Sequence, residues 1–401
     1  MNKATQDFVE KHIHENVHDL LLKTPKQKDI DLNLAVQQIE GLQKVKTKIP
    51  SFYETKKLLF PPKLALEQSS SEITAKHKSN QCEGTVLIDL TGGFGVDDYF
   101  FSFRFDNVIY VEKQKSLCEI ARHNFRILNS DNIVVVNDTA EDYLKKAEKA
   151  DWIYLDPSRR NHLAQKVVSI NECEPNVVQL LEIMQRKANR IMVKLSPMID
   201  LSVLQKELPQ IKEIQIVSVE NECKEVIAII DKQQAEKVLV KTYHYLKNGD
   251  VEEFSFFINE ETDLKTTSEK ENRNISFLCQ KGTYLYEPNA SILKSGAFKL
   301  IGKRFGLDKL HINSHLYASE NLIPNFPGRK FKIEQVLAYN KHTLKSFPEI
   351  IKKANLTVRN FPLNVNELRK KLKLSEGGDS FVFATTLSPD NKVLIVCSKI
   401  S

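Results

Sequence analysis

Several absences narrow this chain before any motif is read. No apolar run approaches the ~18 residues that a membrane-spanning helix needs. The first twenty residues, MNKATQDFVEKHIHENVHDL, carry acids and no apolar signal core, so no export signal is expected. The six cysteines (Cys82, Cys118, Cys173, Cys223, Cys279 and Cys397) are scattered, with no C-x-x-C pair. That argues against a zinc site and a disulfide framework, and it fits a reducing cytoplasm. The ten histidines show no metal-ligand spacing, so no metal is expected. There is no internal repeat and no low-complexity tract. What remains, at 41% hydrophobic and 27% charged, has the composition of a soluble globular protein. Its 401 residues are long for one core, so two or three domains are expected.

The net charge of +6 is unevenly distributed. Residues 280–401 hold 20 Lys and Arg against 9 Asp and Glu, which leaves 38 against 43 in everything before them. An acidic body with a basic end suits a polyanionic partner, although a solvated lysine-rich face would read the same way.

The rhythm of the chain changes twice. Up to about residue 80 it is helical, with Phe8, Val9, Ile13, Val17, Leu20 and Leu21 at three- and four-residue spacing and a second helix from about Asp31. Ser69-Ser70-Ser71, ahead of Glu72 and Thr74, can cap a helix or line a pocket. From Gly84 strands and helices alternate. Strands are expected at Val86–Leu90, Val108–Val111, Ile133–Val136, Trp152–Leu155 and Arg190–Leu195, then at Glu213–Val219 and Glu225–Ile230. Only five residues separate the last two, so they must form an antiparallel hairpin. Alternation of this kind gives a parallel sheet with helices on both faces. After about Asp231 a hairpin is expected over Lys241–Ile258, a polar loop over Glu260–Asn274, and a basic, helix-spaced stretch over Tyr284–Leu316. A turn follows at Ile323–Arg329. The end reads as a β-α-β-β module: a strand at Leu356–Phe361, a helix capped by Asn364 and Glu367, and strands at Phe381–Leu387 and Lys392–Ser398. The division implied is 1–80 helical, 81–232 α/β, 233–322 a basic α+β linker domain, and 323–401 a small α+β domain.

The stretch Val86–Val96, VLIDLTGGFGV, organises the chemistry. A buried strand runs into Gly92, Gly93 and Gly95 and then into a helix, at the edge where open α/β sheets bind nucleotides. Each strand ends in a polar residue: Asp89, Glu112, Asp138, Asp156 and Ser196. Glu112, 23 residues after Asp89, has the spacing of an acid that grips ribose hydroxyls. Asp138 can take the exocyclic amine of adenine. A dinucleotide site would continue G-x-G-x-x-G, whereas Gly93 begins Gly-Phe-Gly-Val-Asp-Asp, and Asp97 and Asp98 would repel a pyrophosphate. Asp89 beside the turn suits a cationic group. The ligand that matches is an adenosine carrying an amino acid, S-adenosylmethionine.

Residues 84–231 resemble a class I S-adenosylmethionine-dependent methyltransferase, with a Rossmann-like seven-stranded sheet whose last strand is antiparallel. The segments EQSSSEITA, DLTGGFGVD, LDPSRR, KLSP, NECKE, EPNASILKSGAF, NFPGR and LTVRNFP resemble, over nearly the whole chain, a bacterial group assigned as RNA methyltransferases with a THUMP-like C-terminal domain. That resemblance implies donor contacts from Asp89, Thr91, Gly92, Gly93, Gly95, Glu112 and Asp138. It implies an acceptor motif at Asp156, Pro157, Ser158 and Arg159, followed by Arg160; Arg160, Lys194 and the basic Arg329 and Lys330 are expected toward the substrate.

Enzymes that methylate a base amine resemble D/N-P-P-Y/F/W at that motif, with the aromatic stacked on the flipped base. Here Ser158 and Arg159 stand where a proline and the aromatic would be. Arg159 can stack on a base, hold a phosphate, or pair with acids of the sheet rim. Carbon-5 pyrimidine methylation needs a thiolate, and Ser196 stands where that family's cysteine would be. Lys194, ending a buried strand, meets a carboxylate or reaches the pocket. The expected activity is methyl transfer to structured RNA, tRNA or rRNA. A protein or small-molecule methyltransferase, or a non-catalytic RNA-binding protein, are the alternatives.

Overall fold

The computed structural model describes residues 1–23, 28–159, 169–232, 236–264, 279–387 and 390–400. The chain divides into two compact units, Met1–Lys212 with Glu225–Ala235, and Glu213–Lys224 with Glu236–Ser401.

The first unit opens with helices α1 (Lys3–His12), α2 (Val17–Lys23), α3 (Leu32–Lys48), α4 (Pro50–Glu54), α5 (Lys63–Gln68) and α6 (Glu72–Ser79). Short polar side chains start several of them. The side-chain oxygens of Asn2, Asp31 and Ser71 accept from backbone N–H groups of the first turns of α1, α3 and α6. The apolar spacing of α1 to α3 buries Phe8, Val9, Leu20, Ala35, Val36 and Ile39 together. The later helices have no core of their own. Val45, Phe52, Phe60, Leu66 and Ala75 pack in one cluster with Phe94, Val96 and Phe100, which follow the glycine turn. Burying one such side chain contributes about 1.5–3 kcal/mol, and this shared cluster ties the helical segment to the α/β sheet.

That sheet contains β1 (Gly84–Asp89), β2 (Phe105–Glu112), β3 (Ile133–Asn137), β4 (Ala150–Leu155), β7 (Ala188–Leu195) and β9 (Glu222–Asp231), in the order β9-β7-β4-β1-β2-β3. The first five run parallel, and β9 is antiparallel to β7. Helices α7 (Val96–Phe101), α8 (Lys115–Ile127), α9 (Ala140–Lys146), α10 (Val177–Lys187) and α11 (Leu201–Glu207) lie between the strands in sequence. The sheet winds from β1 to β3 in one direction and then resumes at β4 on the other side of β1. That reversal opens a crevice at the carboxyl ends of β1 and β4. A short ribbon, β5 (Ser158–Arg159) with β6 (Cys173–Glu174), follows β4. All seven strands expected from the sequence are present, including β8 (Ile211–Val219), which turns into β9 through Glu220 and Asn221, both in the left-handed region.

In the second unit β10 (Leu239–Tyr245) runs parallel to β8 and antiparallel to β11 (Val251–Phe257), the expected hairpin. A seven-stranded sheet follows, in the order β13-β14-β12-β15-β18-β17-β16. Its strands are β12 (Tyr284–Pro288), β13 (Asp308–Lys309), β14 (Tyr317–Ser319), β15 (Gly328–Ala338), β16 (Lys353–Arg359), β17 (Ser375–Leu387) and β18 (Asn391–Ile400). The capped helix Val365–Leu372 forms with the Asn364–Glu367 capping box.

Three details differ from the sequence reading. Tyr284–Leu316 is mixed, with β12 and two short helices, Ala290–Ser295 and Leu300–Phe305, in place of one helix-spaced stretch. The C-terminal module gains β15 and the helix Lys341–Ile350. In β15 lysines alternate with buried Phe331 and Ile333, a period-two pattern hidden under its charge; in the helix Pro348 masks the periodicity. Part of the expected loop Glu260–Asn274 forms the helix Ile258–Thr262, and residues 265–274 lie outside the described residues.

Candidate active site

The crevice at the sheet reversal is a cleft of about 230 Å³. Asp89, Thr91, Gly92, Gly93 and Gly95 line it from the turn after β1. Glu112, Asp138, Asp156 and Ser158 line it from the ends of β2, β3 and β4. Residues far apart in sequence thus meet where the strand-end pattern led. Gln68, Ser69 and Ser70 join them from the helical segment, so its serines do both things expected of them, capping and lining.

The turn leaves no room for side chains. A Cβ on Gly92 would stand 2.2 Å from the Tyr110 ring, and Gly95, at φ +79°, would meet Phe125 at 2.6 Å. The Tyr110 hydroxyl donates to the Gly93 carbonyl (2.6 Å). Glu112 braces the turn from the other side, accepting from the N–H of Gly93 (3.1 Å) and of Gln114 (2.7 Å). Thr91 joins the two chemical motifs. It donates to Asp89 through its N–H (2.7 Å) and hydroxyl (3.2 Å), and its hydroxyl oxygen accepts from the N–H of Asp156 (2.7 Å). At the rim, Asp138 accepts from the N–H of Thr139 (2.9 Å) and pairs with Lys146 (2.6 Å), whose hydrogen bond holds its carboxyl below the usual range.

Beneath the turn lies a buried network of charge. Lys78, with no exposure, donates to both Glu225 oxygens (3.0 and 2.9 Å) and to Ser70 (3.1 Å), and stands 3.3 Å from Asp97. Asp97 also accepts from Ser70 and from the Tyr154 hydroxyl, both at 2.8 Å. Burial works against its ionisation, but Lys78 and Lys194 hold its carboxyl below the usual range. Its neighbour Asp98 is fully buried, with its carboxyl against that of Asp89. Burial, with Asp89 and Asp97 beside it, pushes the Asp98 carboxyl well up. Burial also lifts Asp89 to about 8, so the Asp89–Asp98 pair holds a proton at neutral pH.

At the end of β4, Lys194 donates to Asp156 at 2.5 Å. Burial opposes its charge, but Asp156, Asp97 and Glu225 outweigh that and keep it protonated. Of the two readings of Lys194, the structure shows the carboxylate partner; Lys194 itself is not part of the cleft lining. Pro157 is not part of that lining either. Ser158 donates to the Glu174 carbonyl (3.4 Å), and the Arg159 backbone pairs with Cys173. Arg160 lies outside the described residues. None of the six cysteines lines the cleft.

Arg329 and Lys330 belong to the second unit and are engaged within it. Arg329 donates to Glu287, and Lys330 to the Pro324 carbonyl (2.8 Å). Sequence reasoning missed Lys78, Tyr154 and Glu225 as parts of the site. Glu225 was within reach, since it ends the NECKE segment. Lys78 gave no signal, because a lysine in the polar helix EITAKHKS reads as solvated.

Residues 284–327 match a family described as a ferredoxin-like domain, and residues 328–399 one described as THUMP domain-like. No curated protein matches the chain. Among solved structures, a candidate methyltransferase from Porphyromonas gingivalis W83 is 32% identical with a TM-score of 0.86, over 99% of this chain and 98% of that one. An rRNA methylase from Streptococcus thermophilus (13% identity, TM-score 0.31) covers 40% of this chain and 95% of its own. A candidate methyltransferase from Streptococcus mutans in complex with SAH (16% identity, TM-score 0.31) covers 41% and 99%.

Proposed function

This chain belongs to the family of the Porphyromonas gingivalis methyltransferase-fold protein, with a THUMP-like domain at its C-terminus, and from that premise we propose that it transfers a methyl group from S-adenosylmethionine to a base nitrogen of structured RNA, tRNA or rRNA. The observation that carries this reading is the convergence of the glycine turn, Glu112, Asp138 and Asp156 on one cleft.

The residues fit the donor. Asp89, backed by the buried Asp98 carboxyl, is a buried site for an α-ammonium group. Glu112 suits the ribose hydroxyls, and Asp138 the adenine amine. The turn at Gly92 and Gly93 lets the backbone approach closely. When bound, the donor supplies a methyl group on a sulfonium, so the reaction is a displacement in which positioning dominates. The acceptor nitrogen forms the new C–N bond as the C–S bond breaks with its electron pair left on sulfur, and the nitrogen loses a proton to water.

Asp156 orients the acceptor. Lys194 holds one of its oxygens, and its other oxygen makes no hydrogen bond to the described residues, so it can accept from the amine N–H. Arg159, three residues further along the chain, is proposed to take the base or a phosphate of the substrate. The absence of cysteine from the cleft lining disfavours the thiolate route of carbon-5 methylation.

Titration calorimetry with S-adenosylmethionine tests the donor site. One molecule bound per chain, with at least tenfold weaker binding by Glu112→Ala, is expected; no binding heat would overturn the reading.

A further inference from the structure

Three sequence segments play no part in the donor cleft: EPNASILKSGAF, NFPGR and LTVRNFP. In the second unit they converge on Glu287. That carboxylate is 1% exposed and bears two guanidinium groups. Its Oε2 accepts from Arg329 Nε (2.8 Å) and from a terminal nitrogen of Arg329; its Oε1 accepts from Arg359 Nε (3.0 Å) and pairs with Arg359 Nη2 (2.8 Å). One carboxylate offsets one of these cations, so one positive charge remains. Arg329 lies over the rings of Phe331 and Phe383, and Arg359 is the more exposed of the two.

More positive character gathers beside Arg359. His315 stacks on Phe298, with ring centroids 3.7 Å apart, and the Lys309 ammonium sits 5.3 Å from the Phe298 ring. Burial, then Lys309 and Arg359, pull His315 down to about 4, so its imidazole stays neutral. Lys309 is itself lowered to about 8, chiefly by burial, with Lys299 adding to it. Glu261, the acid that offsets Lys309, already accepts from the backbone N–H groups of Lys299 and Leu300. Nδ1 of His315 is buried without a hydrogen-bond partner among the described residues. Two backbones here are left-handed without being glycine, His315 at φ +52° and Asn360 at φ +49°, and Asn360 bonds His311 at 2.9 Å. Asparagine tolerates this conformation, so the strain lies at His315, and such strain concentrates where a ligand is bound. Lys309 donates to the Ile312 carbonyl (2.6 Å) and meets no carboxylate in an ion pair among the described residues; with Arg359, an unsatisfied imidazole nitrogen and an aromatic wall, this describes a site lacking its anion.

We propose that Arg359, Lys309 and His315 form a binding site for a phosphate group, carried by an RNA strand or by a mononucleotide, with Phe298 as its aromatic wall. The assignment rests on the RNA-methyltransferase reading for its biological use, though not for its chemistry. An arriving phosphate would be attracted by each cation and would let His315 take up a proton.

Arg359→Ala would strip a buried carboxylate of a partner and risks unfolding, so the informative variants are Lys309→Met and His315→Asn, asparagine being tolerant of the left-handed backbone. The full chain is titrated into a fluorescein-labelled tRNA transcript across a salt series, with adenosine monophosphate and inorganic phosphate as competitors and S-adenosylmethionine binding as the control. The double variant is expected to bind the transcript at least tenfold more weakly, with the slope of log affinity against log salt reduced by about 0.7–0.9 for the lost lysine, and with melting temperature and S-adenosylmethionine binding unchanged. No displacement by the small competitors assigns the site to RNA. Displacement by adenosine monophosphate from the native chain, lost in the variant, assigns it to a mononucleotide. Unchanged transcript affinity and salt slope in the folded variants, or no binding of transcript or phosphate by the native chain, would overturn the site. Failure of the methyltransferase reading would show separately, as absent S-adenosylmethionine binding.

Discussion

Each of the two units buries carboxylate and cation together, but with opposite excess. Around the cleft of the first unit, five carboxyls (Asp89, Asp97, Asp98, Asp156 and Glu225) meet three ammonium groups, Lys78, Lys194 and Lys48, and burial keeps protons on Asp89 and Asp98 that an arriving cation would displace. In the second unit, one buried carboxylate, Glu287, meets two guanidinium groups. Isolated charge is expensive to bury, so an excess of one sign marks what is missing. The first unit calls for a cationic ligand group and the second for an anionic one. An α-ammonium fits the first, and a phosphate the second.

The sharpest way to break this comparison is to unbalance each network. Lys78→Met leaves Asp97 and Glu225 buried without their ammonium, and Glu287→Gln leaves Arg329 and Arg359 facing each other. Each should lower stability to urea by about 3–5 kcal/mol, the range for removing one partner of a buried pair. The two should differ in reach: Lys78→Met weakens S-adenosylmethionine binding by calorimetry, and Glu287→Gln, where still folded, leaves it unchanged. Equal effects of both variants on donor binding would erase the distinction between the units.

Gly92→Ala comes next. Its Cβ would fall 2.2 Å from the Tyr110 ring, so the turn must move, and calorimetry should find donor affinity lowered at least a hundredfold, with a smaller change in melting temperature.

The proton shared by Asp89 and Asp98 sharpens the charge argument. An ammonium needs the ionised pair, and burial holds Asp89 up to about 8. Donor affinity should therefore rise with pH, by up to about tenfold per unit from pH 6 toward 8, and fall again as the donor's own α-ammonium, with a value of about 8, loses its proton. Because this carboxyl's folded value lies above its unfolded one, the stability it contributes to the empty protein is greatest at low pH and is lost as pH rises through about 8. Asp98→Asn should flatten the affinity profile; a profile as steep as before would remove the pair from the account. The smallest effect belongs to Lys146→Ala. It frees Asp138 at the exposed rim and should alter donor affinity no more than about threefold, since exposed ion pairs contribute at most about 1 kcal/mol.

The glycine-turn half of this cleft was legible because its signals are local. A glycine turn, an acid at the end of each strand and the 23-residue step to Glu112 can each be read without knowing the fold. The supporting half was not. Lys78 becomes a buried cation only because α6 packs against α7, and Tyr154 is a donor to Asp97 only once β4 lies beside β1. In the second unit, lysines on β15 hid a strand, and the pairing of Arg329 with Glu287 had no signal in the sequence. Periodicity reports burial of apolar atoms and says little about which charges will pair across a sheet.

The most direct test of the central proposal incubates the full chain with S-adenosylmethionine labelled on its methyl group and with RNA from a strain lacking the gene, followed by mass spectrometry of the digested nucleosides. The account predicts label in one RNA nucleoside, methylated on a base nitrogen, and its loss with Asp156→Asn. Label in protein, or bound S-adenosylmethionine with no label in RNA, would contradict it.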